Sequence, residues 1–169
     1  TGSVASIDVM NKHFTINPYY TLAYKNCTAA YNEYEEPYFA DKIRQKVIEA
    51  VLACVDNKTK IAAAVSGGLD SSIIVSIICR YCPDVTLTAF TSTNDINKGE
   101  SDWAEKLTKK LKLTWKQSLC TIEDIRQNLS KAIDVQNIPL FNLSSFAQYK
   151  VMQDARDFGF DSMIDVQGS

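Results

Sequence analysis

The chain has 169 residues, of which 46% are hydrophobic and 22% charged, and its formal net charge at pH 7 is -2. This composition is that of a soluble globular protein, and the length allows one domain with a hydrophobic core. The slightly acidic balance disfavours a polybasic surface for nucleic acid or membrane. No apolar run approaches the roughly 18 residues of a membrane-spanning helix, and no secretory signal is visible. We therefore expect a cytoplasmic protein with neither kind of partner.

Residues 1–38 lack a clean hydrophobic periodicity and hold six of the eight tyrosines. Tyrosine combines a large apolar ring with a polar tip, so it suits a segment that covers other structure. The six are Tyr19, Tyr20, Tyr24, Tyr31, Tyr34 and Tyr38. We interpret residues 1–38 as an irregular linker or covering segment, and residues 39–169 as the domain proper.

The cysteines are odd in number and scattered through apolar segments: Cys27, Cys54, Cys79, Cys82 and Cys120. In a reducing compartment this pattern predicts free, buried thiols. Cys79 and Cys82 have C-x-x-C spacing, but a zinc site needs a second ligand pair, and His13 is the only histidine. Metal or redox use of this pair stays the lesser alternative.

Apolar residues alternate between helix-like and strand-like patterns from residue 41 onward. A period of 3.6 residues predicts a first helix from Asp41, and the apolar run 61–65 is typical of a strand buried on both faces. The later predicted elements are a helix at 71–82, a strand at 85–91, a loop at 94–99, a helix at 100–111, a strand at 113–119, a helix opening at 121–124, a helix at 143–158 and a strand at 161–166.

For three of these helices the sequence also predicts the inward-facing residues or the position of a helix end. We expect Trp103, Leu107 and Leu111 to point inward from the helix at 100–111. The residues 121–124 resemble an N-terminal capping box, and Gly159 is typical of a helix end. Four apolar residues of the helix after the capping box share one face: Ile122, Ile125, Leu129 and Ile133.

The repeated strand–helix order predicts an α/β fold, a doubly wound parallel sheet with helices on both faces. Ligands of such sheets bind beyond the carboxyl ends of the strands. Two glycine-bearing segments, 66–68 and 167–169, directly follow predicted strands. The sequence therefore places a binding site at that edge.

The first of these segments, Val65-Ser-Gly-Gly-Leu-Asp-Ser-Ser72, joins a buried strand to a helix. Gly67 and Gly68 lack Cβ atoms, so an anion can approach their N–H groups and positive φ is allowed. The helix start adds unpaired N–H groups and the positive end of its dipole. Ser66, Ser71 and Ser72 add hydroxyl donors. Together these groups predict a cradle for pyrophosphate.

Asp70 is unexpected in an anion site, because a carboxylate repels phosphate unless a cation lies between them. Magnesium binds carboxylate and phosphate oxygens together, so we expect Asp70 to be a Mg²⁺ ligand. The alternative is that Asp70 only stabilises the helix N-terminus. The loop lacks the Gly-Lys-Ser/Thr ending of a Walker A motif.

The seven residues Ser-Gly-Gly-Leu-Asp-Ser-Ser at 66–72 resemble the PP-loop of the N-type ATP pyrophosphatases, and of asparagine synthetases in particular. The resemblance covers about residues 39 to 169 and implies an adenine-nucleotide alpha-hydrolase-like fold. It implies that the strand at 86–91, through Ala89 and Phe90, reads adenine with backbone groups. The run from Tyr149 through Gly159 into 165–169 resembles the approach to a Gly-x-Gly-Ala/Ser-Asp-Glu signature, so Gln167 and Gly168 become nucleotide contacts.

This resemblance implies that ATP and Mg²⁺ are bound and that a carboxylate, aspartate above all, attacks the α-phosphate and releases pyrophosphate. Ammonia, supplied by a glutaminase domain or subunit, then displaces AMP. Two positions depart from the expected signature, since Val166 replaces a glycine and Gln167 stands where many members have glutamate. The signature's Asp-Glu does not appear by Ser169, so we assign no catalytic residue and expect a piece of a larger domain with little activity alone.

Two other functions stay open. A PP-loop enzyme that modifies tRNA or transfers sulfur would use Cys79 and Cys82. A degenerate PP-loop domain would bind nucleotide or a protein partner without catalysis.

Overall fold

The computed structural model describes residues 2–21, 32–93, 98–137, 139–140 and 142–166. The chain divides into two units, Thr1–Tyr38 and Phe39–Ser169. In the described part of the first unit, an antiparallel hairpin joins β1 (Ser3–Asp8) to β2 (His13–Pro18). The Asp8 carboxylate accepts from the N–H groups of Met10 and Asn11, both at 3.0 Å, and so shapes the turn.

This hairpin was not predicted from the sequence. Each strand has only six residues, and their side chains are mostly exposed, so no long apolar alternation marks them. Tyr24, Tyr31 and Cys27 lie outside the described residues. The other tyrosines of the segment are exposed: Tyr19, Tyr20, Tyr34 and Tyr38. A covering role for residues 1–38 stays a prediction.

The second unit is built on a parallel sheet of strand order β5-β4-β3-β6. In the described residues the strands are β3 (Lys60–Ala64), β4 (Thr86–Thr93), β5 (Thr114–Leu119) and β6 (Met163–Ile164). The helices of the described residues are α1 (Glu36–Val55), whose first three residues belong to the first unit, α2 (Leu69–Tyr81), α3 (Lys98–Leu111), α4 (Ile122–Gln136) and α5 (Leu143–Asp157). None of the helices in the described ranges is long and apolar enough to cross a membrane.

Alternate residues of the central strands belong to different hydrophobic clusters. Ile61 and Ala63 share a buried cluster with residues of α1, α2 and α3. Ala62 and Phe90 share a second cluster with residues of α5. Successive side chains of a strand point to opposite faces, so helices cover both faces of the sheet. The predicted doubly wound α/β fold is confirmed.

The predicted elements of this unit are all present, but several boundaries and one orientation differ. Helix α1 begins five residues earlier than predicted, and residues 98–99, predicted as loop, belong to α3. Residues 94–97 of that predicted loop are not among the described residues. Trp103 was predicted to point inward but is 63% exposed, with Lys106 Nζ 4.4 Å from its ring centroid. The inward face of α3 runs instead through Ala104, Leu107 and Leu111, one position away from Trp103.

Helix α4 has the predicted capping box but a different buried face. Ile125 packs against a cluster formed by Ala132 and the α5 residues Phe146 and Tyr149. The other residues expected on this apolar face are exposed: Ile122, Leu129 and Ile133. The small side chain of Ala132 meets α5, and therefore sets which side of α4 is buried.

Replacing Asp124 by alanine should lower the free energy of unfolding by about 1 kcal/mol near neutral pH. The Asp124 carboxylate accepts from Thr121 N at 2.9 Å, and Asp124 N donates to Thr121 Oγ1 at 3.0 Å. Hydrogen bonds from the Thr121 side chain and then its backbone hold the Asp124 pKa below the ordinary value of 3.8. Because the Asp124 pKa is lower in the folded state, the ionised carboxylate stabilises the fold at pH values above the pKa of the unfolded state. This stabilisation is lost as the pH falls through the pKa of the folded state.

Urea unfolding of both proteins at about pH 7 and pH 3 measures the effect. The difference between wild type and Asp124→Ala should shrink in acid. Glu123→Ala, which removes the exposed neighbouring carboxylate, should change stability by less than about 0.5 kcal/mol. An equal difference at both pH values would contradict the proposed contribution of the ionised Asp124.

Helix α5 ends as predicted, at a glycine with positive φ. Gly159 has φ +79°, and Phe160 N donates to Ala155 O at 3.0 Å. Lys60 Nζ donates to Gly159 O at 3.0 Å and lies 4.2 Å from the Phe160 ring centroid. These contacts tie the end of α5 to the start of β3, and so fix the path of the chain into β6.

Candidate functional site

A cleft of about 720 Å³ lies beyond the carboxyl ends of the sheet. Residues that end or directly follow each of the four strands line it, as the topology predicts. They include Val65 after β3, Thr91 in β4, Cys120 after β5 and Asp165 after β6. Helix α5 contributes further lining residues, among them Ser144 and Gln148.

Hydrogen bonds to the neighbouring strand hold Val65, the first residue after β3, in place. Val65 is 2% exposed, and its N–H donates to Phe90 O at 2.8 Å. Thr91 Oγ1 donates to Val65 O at 2.7 Å and accepts from Trp115 Nε1 at 2.9 Å. A chain of hydrogen bonds across β5, β4 and β3 therefore fixes where the glycines begin.

The two glycines carry the chain from this point into α2. Gly67 has φ +84°, in the region that favours glycine. Gly68 is extended, with φ -69° and ψ 168°, and it caps α2 without a side-chain hydrogen bond. The first turn of a helix has N–H groups with no partner inside the helix. This loop therefore presents backbone donors and the positive end of the α2 dipole at the cleft.

Of the three serines predicted to donate to phosphate, two line the cleft and one does not. Ser66 Oγ accepts from Gly68 N at 3.2 Å and lies 3.2 Å from Ser71 Oγ. Both serines line the cleft. Ser72 Oγ donates to Gly68 O at 2.6 Å, and Ser72 lines a separate groove between α1 and α2. Its predicted contact with a ligand stays a prediction.

Asp70 is an exposed residue in the first turn of α2 and lines the cleft. The described cleft residues include the carboxylates Asp70 and Asp165, and no lysine, arginine or histidine. Among the described residues, no group of three or more His, Cys, Asp or Glu side chains could hold a metal ion. A cation beside Asp70 would therefore need the ligand's own oxygens to complete its coordination.

Of the remaining predicted contacts, one lines the cleft, one lies in the core and two are not among the described residues. Phe90 lines the cleft, and its ring packs against Phe160 at 5.7 Å between centroids. Ala89 has no exposed surface and lies in the core between its partners Ala63 and Trp115. Gln167 and Gly168 lie outside the described residues.

Sequence reasoning missed the far wall of the cleft, formed by Cys120, Thr121, Gln148 and Asp165. Burial, and secondarily the Asp124 carboxylate, raise the pKa of the Cys120 thiol, while Lys150 acts in the opposite direction. The signal that could have found Cys120 is its position just after the predicted strand at 113–119, and for Asp165 it is the position near the end of the predicted strand at 161–166. Gln148 gave no such signal, because it lies within a helix.

The family model of asparagine synthase matches residues 42–169. Comparison with curated proteins gave no match. The structure of the U34-tRNA thiolase NcsA from Methanococcus maripaludis with its 4Fe-4S cluster is similar, with 16% identity, a TM-score of 0.54, and coverage of 86% of this chain and 54% of that one.

The NH3-dependent NAD synthetase from Campylobacter jejuni subsp. jejuni NCTC 11168, in complex with nitrate, shares 23% identity, with a TM-score of 0.48. That match covers 70% of this chain and 51% of the synthetase. The chain thus spans about half the length of these two solved proteins. At such identities the likeness to the thiolase shows a shared fold alone.

Proposed function

The chain belongs to the asparagine synthase family, and we propose from this membership and the cleft that it binds ATP with Mg²⁺ to activate a carboxylate. The observation that carries the proposal is the loop itself. Gly67, at φ +84°, leads into the start of α2, where the N-cap residue Gly68 provides no side-chain hydrogen bond. The proposed PP-loop domain comprises residues 39–169.

The β- and γ-phosphates would lie against Gly68, the first N–H groups of α2 and the hydroxyls of Ser66 and Ser71. Hydroxyl and backbone N–H groups donate to phosphate but bring no formal charge. The described cleft residues include no cationic side chain, and Asp70 adds a negative charge. Asp70 and the phosphates fit a shared Mg²⁺, which takes carboxylate and phosphate oxygens together and would offset charge on the leaving pyrophosphate.

The proposed reaction uses this cradle to hold a leaving group. A carboxylate oxygen of the acceptor attacks the α-phosphorus of ATP, the bond from that phosphorus to the bridging oxygen breaks, and pyrophosphate leaves. In this proposal the donors of the loop would lie where this charge develops, and such groups lower a barrier by stabilising that charge. Ammonia then attacks the acyl carbon of the acyl-adenylate, the bond from that carbon to the phosphate oxygen breaks, AMP leaves with the electrons of that bond, and the nitrogen releases a proton to solvent.

The acceptor and the nitrogen source are proposals that rest on family membership. We propose a small amino-acid carboxylate, aspartate above all, and ammonia from a glutaminase domain or subunit. Two contacts with ATP also remain proposals here: backbone recognition of adenine near Phe90, and contacts from Gln167 and Gly168.

The positions of Cys79 and Cys82 do not support the alternative function, a PP-loop enzyme that modifies tRNA or transfers sulfur. Cys79 and Cys82 are half-buried and pack against the main core cluster, and burial raises the pKa of the Cys79 thiol. A raised pKa disfavours the thiolate, the form that binds metal and attacks sulfur. We therefore propose no second function for this chain.

Isothermal titration calorimetry with ATP tests the proposal. We expect saturable binding in the presence of Mg²⁺ that weakens at least about tenfold when EDTA removes the metal. Release of pyrophosphate on adding aspartate and ammonia to a longer protein that contains this domain would separate an enzyme from a binding domain. Absence of magnesium-dependent ATP binding by the folded protein would overturn the proposal.

A further inference from the structure

The first peptide bond of the glycine loop is held by side chains of β4 and β5. Strand β3 ends at Ala64, and Val65 O accepts a hydrogen bond of 2.7 Å from Thr91 Oγ1 in β4. That hydroxyl in turn accepts from Trp115 Nε1 in β5 at 2.9 Å. The C=O of Val65 and the N–H of Ser66 belong to one planar peptide unit. A partner that fixes the direction of the oxygen therefore fixes the direction of the Ser66 N–H as well.

The indole of Trp115 sets the direction in which the Thr91 hydroxyl donates. An indole N–H is a donor only, whereas a threonine hydroxyl has one proton and two acceptor lone pairs. Because Trp115 occupies an acceptor position of the hydroxyl, the single proton is directed to Val65 O. Thr91 is 3% exposed and Val65 2%, so water has little access to the bond between them. Without the indole, the hydroxyl can rotate and donate elsewhere.

The peptide held in this way leads directly into the groups proposed to bind phosphate. Ser66 Oγ accepts from Gly68 N at 3.2 Å and lies 3.2 Å from Ser71 Oγ. A rotation of the peptide unit before Ser66 changes the φ of Ser66, and so displaces its hydroxyl from both neighbours. The arrangement of the loop therefore depends on the hydrogen bond that Val65 O accepts.

We infer that Trp115 is a positioning residue for the nucleotide: through Thr91 it orients the first peptide of the loop, and so sets the affinity for ATP. This inference rests on the proposed function, because it assigns a further residue to the same site. Trp115 is half-buried, packs against the main core cluster and does not line the cleft. It therefore acts on the ligand through Thr91 and not by contact.

Calorimetric titration of ATP with Mg²⁺ measures this role in four single variants. Thr91→Val replaces the hydroxyl by a methyl group and should weaken binding roughly fivefold, as loss of a buried hydrogen bond predicts. Trp115→Phe removes the N–H donor and should weaken binding roughly threefold. Thr91→Ser keeps the hydroxyl and should bind within about twofold of wild type. Trp103→Phe, the matched control, changes the other tryptophan, which is 63% exposed in α3, and should leave the affinity unchanged.

The double variant Thr91→Val with Trp115→Phe separates positioning from an independent effect of the indole. If Trp115 acts only through the hydroxyl, the double variant binds ATP as tightly as Thr91→Val alone. Losses that multiply would show that the indole acts by another route, and would overturn the inference. Thermal unfolding shows whether each variant is folded. If Thr91→Val does not fold, Trp115→Phe decides the outcome, and an unchanged affinity in that variant overturns the inference.

NMR of the protein without nucleotide separates this inference from the proposed function. Thr91→Val and Trp115→Phe should both shift the resonance of the Ser66 amide, and Trp103→Phe should not. If wild type fails to bind ATP while both variants shift this resonance, the proposed function fails and the orientation of the loop by Trp115 is supported. If the resonance stays in place in both variants, or if the folded variants bind ATP like wild type, the inference is overturned.

Discussion

Replacing Asp70 by asparagine should weaken ATP binding in the presence of Mg²⁺ by roughly 100-fold, because the metal loses its charged protein ligand. Binding without metal should change in the opposite direction or not at all, since the variant removes a negative charge beside the phosphates. Calorimetric titrations of ATP with Mg²⁺ and with EDTA measure both effects. Asp84→Asn is the matched control, because Asp84 is an exposed aspartate in the turn after α2.

This pair of titrations also decides between the two interpretations of Asp70. A carboxylate that merely stabilises the start of α2 contributes about 0.3 to 1 kcal/mol to folding and nothing to a metal. In that case Asp70→Asn would lower the free energy of unfolding by that amount and would bind Mg²⁺ and ATP at least as tightly as wild type. Such a result would contradict the magnesium site.

The architecture of the second unit could be predicted because its central strands are nearly continuous apolar runs. Ile61, Ala62 and Ala63 are all at most 1% exposed, and only a strand covered on both faces tolerates such a run. The glycine loop was predictable for a related reason. A buried strand that ends at two glycines and a helix start allows few conformations, and Gly67 takes the positive φ that its lack of a Cβ allows.

The features of the site that could not be predicted from the sequence depend on contacts between residues that are distant along the chain. Gln148 and Asp165 are separated by 17 positions, and the hydrogen bond between them exists only because α5 runs back to the edge of β6. Thr91, which fixes Val65, lies 26 positions further along the chain. The local hydrophobic periodicity of the sequence does not indicate such pairs. The hairpin β1–β2 was missed for another reason, since its exposed strands carry no buried face to create a pattern.

Gly67→Ala should weaken binding of ATP with Mg²⁺ by at least about tenfold, and should lower the free energy of unfolding by about 1 to 2 kcal/mol. Alanine is strained at φ +84°, so the backbone either stores that strain or turns to negative φ. Turning moves the N–H groups of the loop away from the phosphates. Calorimetry with ATP and urea unfolding measure the two consequences separately.

Gly159→Ala provides the matched control, because Gly159 also has positive φ, at +79°. A Cβ added there would lie 3.6 Å from Lys60 Nζ, an ordinary contact with the end of a flexible side chain. The control therefore carries similar backbone strain at the end of α5, outside the cleft, and should lose stability without losing affinity for ATP. If both variants lose stability and both still bind ATP like wild type, the strain at Gly67 has no role in presenting donors to phosphate. The conformation of the loop would then serve the fold and not the ligand.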